Sequence, residues 1–171
     1  LVVKCKSRKD EADFVVSRVS EIIEEQRMLD EANELVGSTK IPIAVIGFSR
    51  ADREYIEKAL RQARIRTTQL RENVGWEDNA VKISTLESAK GHEFHAVFIV
   101  GVTQGTIPNF RVPESEWKRE AARLYVGMTR ARDQLYMSYN MQSRGGPSIL
   151  LASIQDECLE CEYGGGRLVV S

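Results

Sequence analysis

The chain has 171 residues, of which 24 are basic and 25 acidic, and its formal net charge is −1. This length accommodates one domain with a substantial core. The balanced charge excludes a bulk electrostatic attraction to nucleic acid or to membranes, so any nucleic-acid contact must be local. No apolar run approaches the ~20 residues of a membrane span, and no signal-peptide pattern opens the chain. We therefore expect a soluble, cytoplasmic protein.

The cysteines indicate neither a disulfide framework nor a metal site. There are three of them, Cys5, Cys158 and Cys161, which is too few and an odd number for a framework of disulfides. The last two form a C-x-x-C pair, but a closed zinc site requires four ligands, and no second pair or nearby histidine completes the set. We predict no metal site.

The first half of the chain alternates predicted strands and helices. Apolar residues recur at helical spacing after Asp10, whereas Ile41 to Phe48 is a continuous apolar run typical of a strand buried on both faces of a parallel sheet. Ser49 is a candidate helix cap. The predicted strands are residues 1–6, 41–48 and 65–70, and the predicted helices are residues 10–37 and 49–63. Because the first strand begins at Leu1 rather than after a methionine, we expect the chain to be part of a longer protein.

The second half continues the alternation. Its predicted strands are residues 81–85, 95–102, 134–140 and 167–171, and its predicted helices are residues 116–128 and 148–161. Residues 103–115 form a predicted loop of unusual length, which indicates a functional or mobile segment. The whole pattern predicts a three-layer α/β/α domain with a mainly parallel sheet over residues 1–145. Residues 146–171 are predicted to be a C-terminal helix and tail that pack on this domain or extend from it.

The loop after the strand at 81–85 carries candidate binding residues. Its sequence TLESAKGHEF places Lys90, Gly91 and Glu93 within four positions. Glycine permits close approach of the backbone to a ligand, lysine offers a compact positive charge, and glutamate offers an acceptor for sugar hydroxyls. In parallel sheets, ligands bind at loops that leave the carboxyl ends of strands. The alternative for this segment alone is a solvated loop with a turn glycine.

The tetrad TRAR, at residues 129–132, lies between a short predicted helix and a buried strand. An arginine at the end of such a helix is held by a rigid scaffold, and its planar guanidinium can bind a phosphate through two hydrogen bonds. The alternative is a surface cluster of salt bridges with no specific role.

Together, the two segments resemble a known pair of motifs. TLESAKGHEFHAVFIVG and LYVGMTRARDQLYMSY are similar, in order and spacing, to motifs V and VI of the UvrD/Rep-like superfamily 1 DNA helicases. QGTIP at 104–108 resembles the loop that follows motif V, IAVIGFSRADREYIEKALRQARI resembles motif IV, and SRKDEADFVVSRVSEII resembles the opening of the second motor domain. The matching positions in motifs V and VI are Thr85, Lys90, Gly91, Glu93, Phe94, Leu124, Tyr125, Val126, Thr129, Arg130 and Ala131.

The resemblance implies a RecA-like, P-loop NTPase-like second motor domain that binds ATP and Mg²⁺ in a cleft facing the N-terminal motor domain of the same protein. Arg130 would be the arginine finger that reaches the γ-phosphate, and Glu93 would bind the ribose. The implied ATP-binding residues are Glu93, Gly91, Lys90, Arg53 and Arg50. The implied single-stranded DNA contacts are Thr85, Glu87, Ser88 and Phe110. A role in DNA repair is a further implication.

The chain departs from the family pattern at three places. Glu87 stands where the family usually has a histidine, and an acidic side chain cannot neutralise a phosphate. The motif IV arginine is not cleanly aligned, since Arg50 and Arg53 are both near and strict alignment falls on Glu54. Only residues 71–80 occupy the place where the family often inserts a large extra domain.

Two motifs of a complete ATPase are missing from these 171 residues. They contain no G-x-x-x-x-G-K-[ST] loop and no strand-end aspartate followed by glutamate for Mg²⁺. We therefore expect the chain alone not to hydrolyse ATP. Two alternatives to a DNA helicase domain stay open: a RecA-like binding or regulatory module that does not hydrolyse ATP, and an RNA-directed superfamily 1 helicase, although AKGHEF favours the DNA branch.

Overall fold

The computed structural model describes residues 1–33, 41–70, 79–143 and 145–170. The strands are β1 (Val2–Cys5), β2 (Ile43–Gly47), β3 (Thr67–Gln69), β4 (Val81–Ser84), β5 (Phe94–Val100), β6 (Ala131–Asn140), β7 (Glu160–Gly164) and β8 (Arg167–Val170). The α-helices are α1 (Arg8–Ala32), α2 (Arg50–Gln62) and α3 (Trp117–Met128), and 3-10 helices span Glu114–Glu116 and Ile149–Glu157. No helix in these parts of the chain is long and apolar enough to cross a membrane.

The eight strands form one sheet in the order β3-β4-β2-β5-β6-β1-β7-β8. Neighbouring strands from β3 to β7 run parallel, and β8 turns back antiparallel on β7. The carboxyl ends of seven strands therefore lie at one edge of the sheet and their amino ends at the opposite edge. The predicted α/β fold with a mainly parallel sheet is confirmed.

Helices cover both faces of the sheet. On one face α1 and α2 pack against apolar side chains of the central strands, where the rings of Phe98 and Tyr136 stack at 4.7 Å and Phe14 of α1 contacts both rings edge-on. On the other face α3 contributes Leu124 to a second core with Ile46, Ile99 and other residues. Because β2 and β5 are sandwiched between these layers, nearly all their side chains are buried, as continuous apolar runs predict.

The starts of α1 and α2 are set by serine caps. The Ser7 hydroxyl accepts a hydrogen bond from the Asp10 N–H, and the Ser49 hydroxyl accepts one from the Asp52 N–H. Each hydroxyl satisfies one of the backbone donors that a helix start leaves unpaired. The predicted cap at Ser49 is confirmed, and both helices begin directly above the carboxyl edge of the sheet.

A buried carboxylate joins α1 to this edge. Glu11 accepts hydrogen bonds from the Gly101 N–H at 2.9 Å, the Ser138 hydroxyl at 2.7 Å and the Asn140 side-chain amide at 2.7 Å. A buried charge is tolerated only when it is well paired or hydrogen-bonded. Glu11 therefore ties the first turn of α1 to the ends of β5 and β6.

The predicted C-terminal helix at 148–161 is wrong beyond its first turns. Ile149–Glu157 is a 3-10 helix, and the chain then enters β7, which pairs with β1 in the register Val2 to Glu160. Buried Cys161 and Tyr163 alternate with exposed Glu160 and Glu162, which is the period of two that a half-buried strand requires. Residues 160–170 therefore extend the main sheet.

The start of β6 also differs from the prediction. Strand β6 begins at Ala131 rather than at 134, because Ala131 pairs with Phe94 across an irregularity in the register. The predicted end of the first helix near Gly37 and most of the 71–80 connection lie outside the described residues.

Candidate functional site

Arg130 lies at the amino edge of the sheet, immediately before β6. Its Nε donates a hydrogen bond to the Val126 carbonyl at 3.0 Å and its Nη1 donates to the His92 carbonyl at 3.4 Å. Its Nη2 donates to the Thr129 hydroxyl at 3.1 Å. The half-buried guanidinium is thus held against the last turn of α3 and the start of β5, a scaffold that fixes its direction.

Glu93 reaches the same edge through the backbone. The N–H of its neighbour Phe94 donates to the Arg130 carbonyl at 2.8 Å, so the two predicted ATP-binding motifs meet at the first residues of β5 and β6. The side chains of Glu93 and Lys90 are exposed. Gly91 has a φ of +78°, a conformation that glycine adopts without strain and other residues disfavour. The structure therefore brings Glu93 and Arg130 together at the amino edge. Lys90 and Gly91 precede Glu93 in the segment that leads to this edge.

Thr85 and Ser88 lie at the opposite end of this segment, where the chain leaves the carboxyl end of β4. The Thr85 hydroxyl accepts a hydrogen bond from the Ser88 N–H at 3.1 Å, which closes a tight turn. Glu87, within the turn, is exposed and receives a hydrogen bond from Arg123 Nη2 at 3.1 Å. Burial acts to raise the pKa of the Glu87 carboxyl, but hydrogen bonds from its own backbone N–H and from Arg123 lower that pKa below its ordinary value.

Residues 85–94 therefore cross the sheet from its carboxyl edge to its amino edge. Phe94 and Val100 are the two ends of β5, and six residue steps of ~3.3 Å separate them, so the two edges are about 20 Å apart. The expectation that all candidate binding residues of this segment lie at the carboxyl ends of the strands is wrong for Glu93. The chain doubles back because the next parallel strand must start at the amino edge.

Arg50 and Arg53 lie at the carboxyl edge, at the start of α2. Arg53 Nη1 donates to the Gly47 carbonyl, the last residue of β2, at 2.6 Å, and the exposed Arg50 pairs with Glu54 at 2.6 Å. The structure does not bring either arginine to Arg130 and Glu93. Their assignment to ATP stays a prediction, without geometric support from this domain.

Phe110 lies in the loop that follows β5, and the residue is 77% exposed. The Arg111 guanidinium lies 5.3 Å from the centre of its ring. Phe110 borders a cleft of about 670 Å³ at the carboxyl edge. Other residues that line the cleft include Arg8, Asp52, Thr103, Gln104 and Asn140.

The cleft is lined mainly by neutral hydroxyl and amide groups, and Arg8 is paired with Asp52 at 3.0 Å. The sequence patterns identified Gln104 only as part of the QGTIP segment and did not predict a site role for Arg8, Gln104 or Asn140. The signal was available, because each lies within four residues of the carboxyl end of a strand. In the described parts of the chain, no group of three or more His, Cys, Asp or Glu side chains is arranged to hold a metal ion.

A parallel sheet covered by helices on both faces, with motif residues at its two edges, defines a RecA-like domain. The solved C-terminal domain of a possible DNA helicase from Lactobacillus plantarum WCFS1 has the same fold. The two share 26% identity at a TM-score of 0.59, over 88% of this chain and 77% of the other.

Residues 15–142 match the family described as UvrD-like helicase C-terminal domain, and the chain belongs to that family. DNA helicase II of Haemophilus influenzae is 40% identical over 91 residues, which are 48% of this chain and 12% of the relative. The ATP-dependent DNA helicase PcrA of Bacillus subtilis is 35% identical over 101 residues, 54% of this chain and 14% of the relative. The chain thus spans about one seventh or less of the length of these relatives. The predicted family is confirmed.

Proposed function

We propose that the chain is the second motor domain of an ATP-dependent DNA helicase or translocase, and that Arg130 acts on ATP bound by a first motor domain. The observation that carries the proposal is the joint placement of Arg130 and Glu93 at one sheet edge, linked by the Phe94 to Arg130 hydrogen bond of 2.8 Å. Membership of the UvrD-like family supports the helicase class.

The guanidinium of Arg130 is suited to this role. An arginine carries five N–H donors, and within the described residues three of them find acceptors, at Val126, His92 and Thr129. Two donors remain for a phosphate. An arginine that arrives from the opposite domain stabilises the charge that develops on the transferred phosphoryl group only when the cleft is closed, so hydrolysis becomes tied to domain motion.

This edge supplies only some of the groups that a complete ATP site requires. Glu93 supplies an acceptor for ribose hydroxyls and Arg130 supplies donors for phosphate oxygens, but the described residues provide no carboxylate set for Mg²⁺. The ion, when bound with ATP, neutralises charge on the phosphate oxygens. The first motor domain would hold it together with the β- and γ-phosphates, and the chain alone is expected to be inactive.

The carboxyl edge is the side proposed for single-stranded DNA. Thr85 and Ser88 offer hydroxyl groups at a tight turn, and exposed Phe110 offers a ring on which a base can stack, with Arg111 beside it. Glu87 lies in the same turn, but its partner is Arg123. The two proposed ligands thus occupy opposite edges, and residues 85–94 connect them.

Substitution of Arg130 in the full-length protein tests the proposal. Arg130→Ala is expected to lower the DNA-stimulated rate of ATP hydrolysis by ~10³-fold or more, in the range of an arginine finger. Arg132→Ala is the matched control, because the Arg132 side chain is exposed and pairs with Asp133 at 3.7 Å. Turnover of Arg130→Ala within about twofold of wild type would show that Arg130 is not the finger.

Two rival functions have their own tests. A regulatory module that does not hydrolyse ATP is favoured by the acidic Glu87 on the proposed DNA side, and it requires a full-length protein without a phosphate-binding G-x-x-x-x-G-K-[ST] loop. An RNA-directed enzyme requires single-stranded RNA to stimulate ATP hydrolysis more strongly than DNA of the same sequence. Stronger stimulation by DNA supports the proposal.

A further inference from the structure

Arg123 of α3 connects three separate segments. Its Nη1 donates to Glu120 Oε1 at 2.8 Å, and its Nη2 donates to Glu87 Oε1 at 3.1 Å. The other oxygen of Glu120, Oε2, accepts a hydrogen bond from the Asn109 N–H at 3.3 Å. The turn at 85–88, the loop that carries Phe110 and helix α3 therefore meet at one guanidinium and its partner carboxylate.

The ion pair between Glu120 and Arg123 is the buried part of this network. The Glu120 side chain is only 6% exposed, and a buried carboxylate must be paired, which holds Arg123 in place. The guanidinium also lies 5.9 Å from the centre of the Phe48 ring, just beyond β2. Its second amino group is thereby directed at Glu87, whose side chain is 61% exposed.

Helix α3 leads from this network to Arg130. Arg130 follows Arg123 by seven positions, which corresponds to about 10 Å along a helix. A Cβ added to Gly127 would lie 3.2 Å from both Ile99 and Leu86, so α3 packs closely on β5 and on the turn itself. The last helical turn then holds the Arg130 side chain through the Val126 carbonyl. Packing and hydrogen bonds therefore form a continuous path from the turn through α3 to the guanidinium of Arg130.

We propose that Arg123 is a positioning residue that couples the DNA-facing turn at 85–88 to Arg130, an inference that rests on the proposed function. It gives Glu87 a role that its charge permits. A carboxylate repels a DNA phosphate, but it can hold Arg123, so the acidic residue serves the link between the two edges rather than the contact with DNA.

A surface ion pair without this role would contribute little to stability and nothing to coupling. The informative measurement is the ratio of ATP hydrolysis at saturating single-stranded DNA to hydrolysis without DNA. Arg123→Ala in the full-length protein is expected to lower this ratio by ~5-fold or more, the size of a typical coupling between sites. Arg119→Ala is the matched control, because Arg119 lies on the same helix, is 82% exposed and contacts Glu116 at 4.0 Å.

A second variant distinguishes a loss of coupling from misfolding. Arg123→Ala leaves the buried Glu120 without its cation, whereas Glu87→Gln removes only the outer ion pair and keeps the Glu120 to Arg123 bond. Glu87→Gln is expected to lower the stimulation ratio in the same direction. The double variant Glu87→Gln with Arg123→Ala is expected to be no worse than Arg123→Ala alone, because Arg123→Ala already removes the interaction that Glu87→Gln weakens.

The outcomes separate the two proposals. If wild type shows no stimulation by DNA, the proposed function is overturned and the coupling role with it. If wild type is stimulated but Arg123→Ala and Glu87→Gln both keep the ratio of Arg119→Ala, the coupling role is overturned and the proposed function stands. A reduced ratio in Glu87→Gln with unchanged thermal unfolding supports the coupling role.

Discussion

The N–H of Phe94 donates a hydrogen bond of 2.8 Å to the carbonyl oxygen of Arg130. Through this bond, residues that are distant in sequence start adjacent parallel strands side by side, with Phe94 opposite Ala131. Glu93 and Arg130 thereby flank the same point of the amino edge.

Glu93→Ala is expected to weaken ATP binding in the full-length protein. A carboxylate that accepts hydrogen bonds from ribose contributes roughly 1.5–3 kcal/mol, so we expect KM for ATP to rise about tenfold or more with a smaller change in kcat. Steady-state kinetics over a range of ATP concentrations measure this. Glu116→Ala, which changes an exposed carboxylate at the start of α3, serves as control. A KM equal to that of wild type would remove Glu93 from the nucleotide site.

Phe110→Ala is expected to lower affinity for single-stranded DNA without loss of folding, because the ring is exposed. Stacking of one base on an aromatic ring contributes roughly 1–3 kcal/mol, which predicts a rise in Kd of about 5-fold to 150-fold. Fluorescence anisotropy with a labelled oligonucleotide measures it. Phe110→Trp should retain affinity, and Leu159→Ala, another exposed apolar residue, is the control. Equal binding by Phe110→Ala and wild type would contradict stacking.

Glu11→Ala is expected to be strongly destabilising. The change leaves the Gly101 N–H, the Ser138 hydroxyl and the Asn140 amide without their acceptor in a buried place. Loss of one partner from such a network costs about 3–5 kcal/mol. Urea unfolding followed by circular dichroism gives the free energy of unfolding. Glu25→Ala, an exposed carboxylate on the same helix, should shift it by less than about 1 kcal/mol.

The Lys4 to Glu162 ion pair between β1 and β7, at 2.6 Å, is expected to stabilise the fold only between acid and alkaline limits. The hydrogen bond from Lys4 lowers the pKa of Glu162, and the same bond raises the pKa of Lys4. The carboxylate's contribution is therefore present above its unfolded pKa of about 4.3 and is lost as the pH falls through its lowered value. The ammonium's contribution is present below about 10.4 and is lost as the pH rises through its raised value.

Lys4→Met isolates this pair. At neutral pH the variant should unfold at a lower urea concentration than wild type, and the difference should shrink as the pH falls below about 4. A difference that stays constant from pH 7 to pH 3 would show that the pair does not contribute. Because the pair is exposed, salt should also reduce the difference.

Much of the candidate site follows from local sequence, but its division between two edges does not. Glu93 and Arg130 are recognisable from TLESAKGHEF and TRAR, whereas the direction in which residues 85–94 cross the sheet depends on which strand the chain joins next. Arg50 and Arg53 illustrate the same point, since their sequence suits a phosphate contact but their strand delivers them to the edge opposite Arg130. The Arg123 to Glu87 bond joins α3 to a turn 36 residues away in sequence. No sequence motif indicates that these two residues interact.

The sequence by itself determined the alternation of strands and helices, the parallel sheet and the family, because apolar periodicity and short motifs are local properties of the chain. Only the tertiary structure decided that residues 160–164 form a strand beside β1, that Glu11 is buried, and that Arg123 links the turn at 85–88 to α3. These features depend on neighbours distant in sequence, whose packing supplies the missing hydrogen-bond partners and excludes water. Local sequence patterns do not specify these features, because the same residues are equally compatible with a helix or a solvated turn until the sheet is assembled.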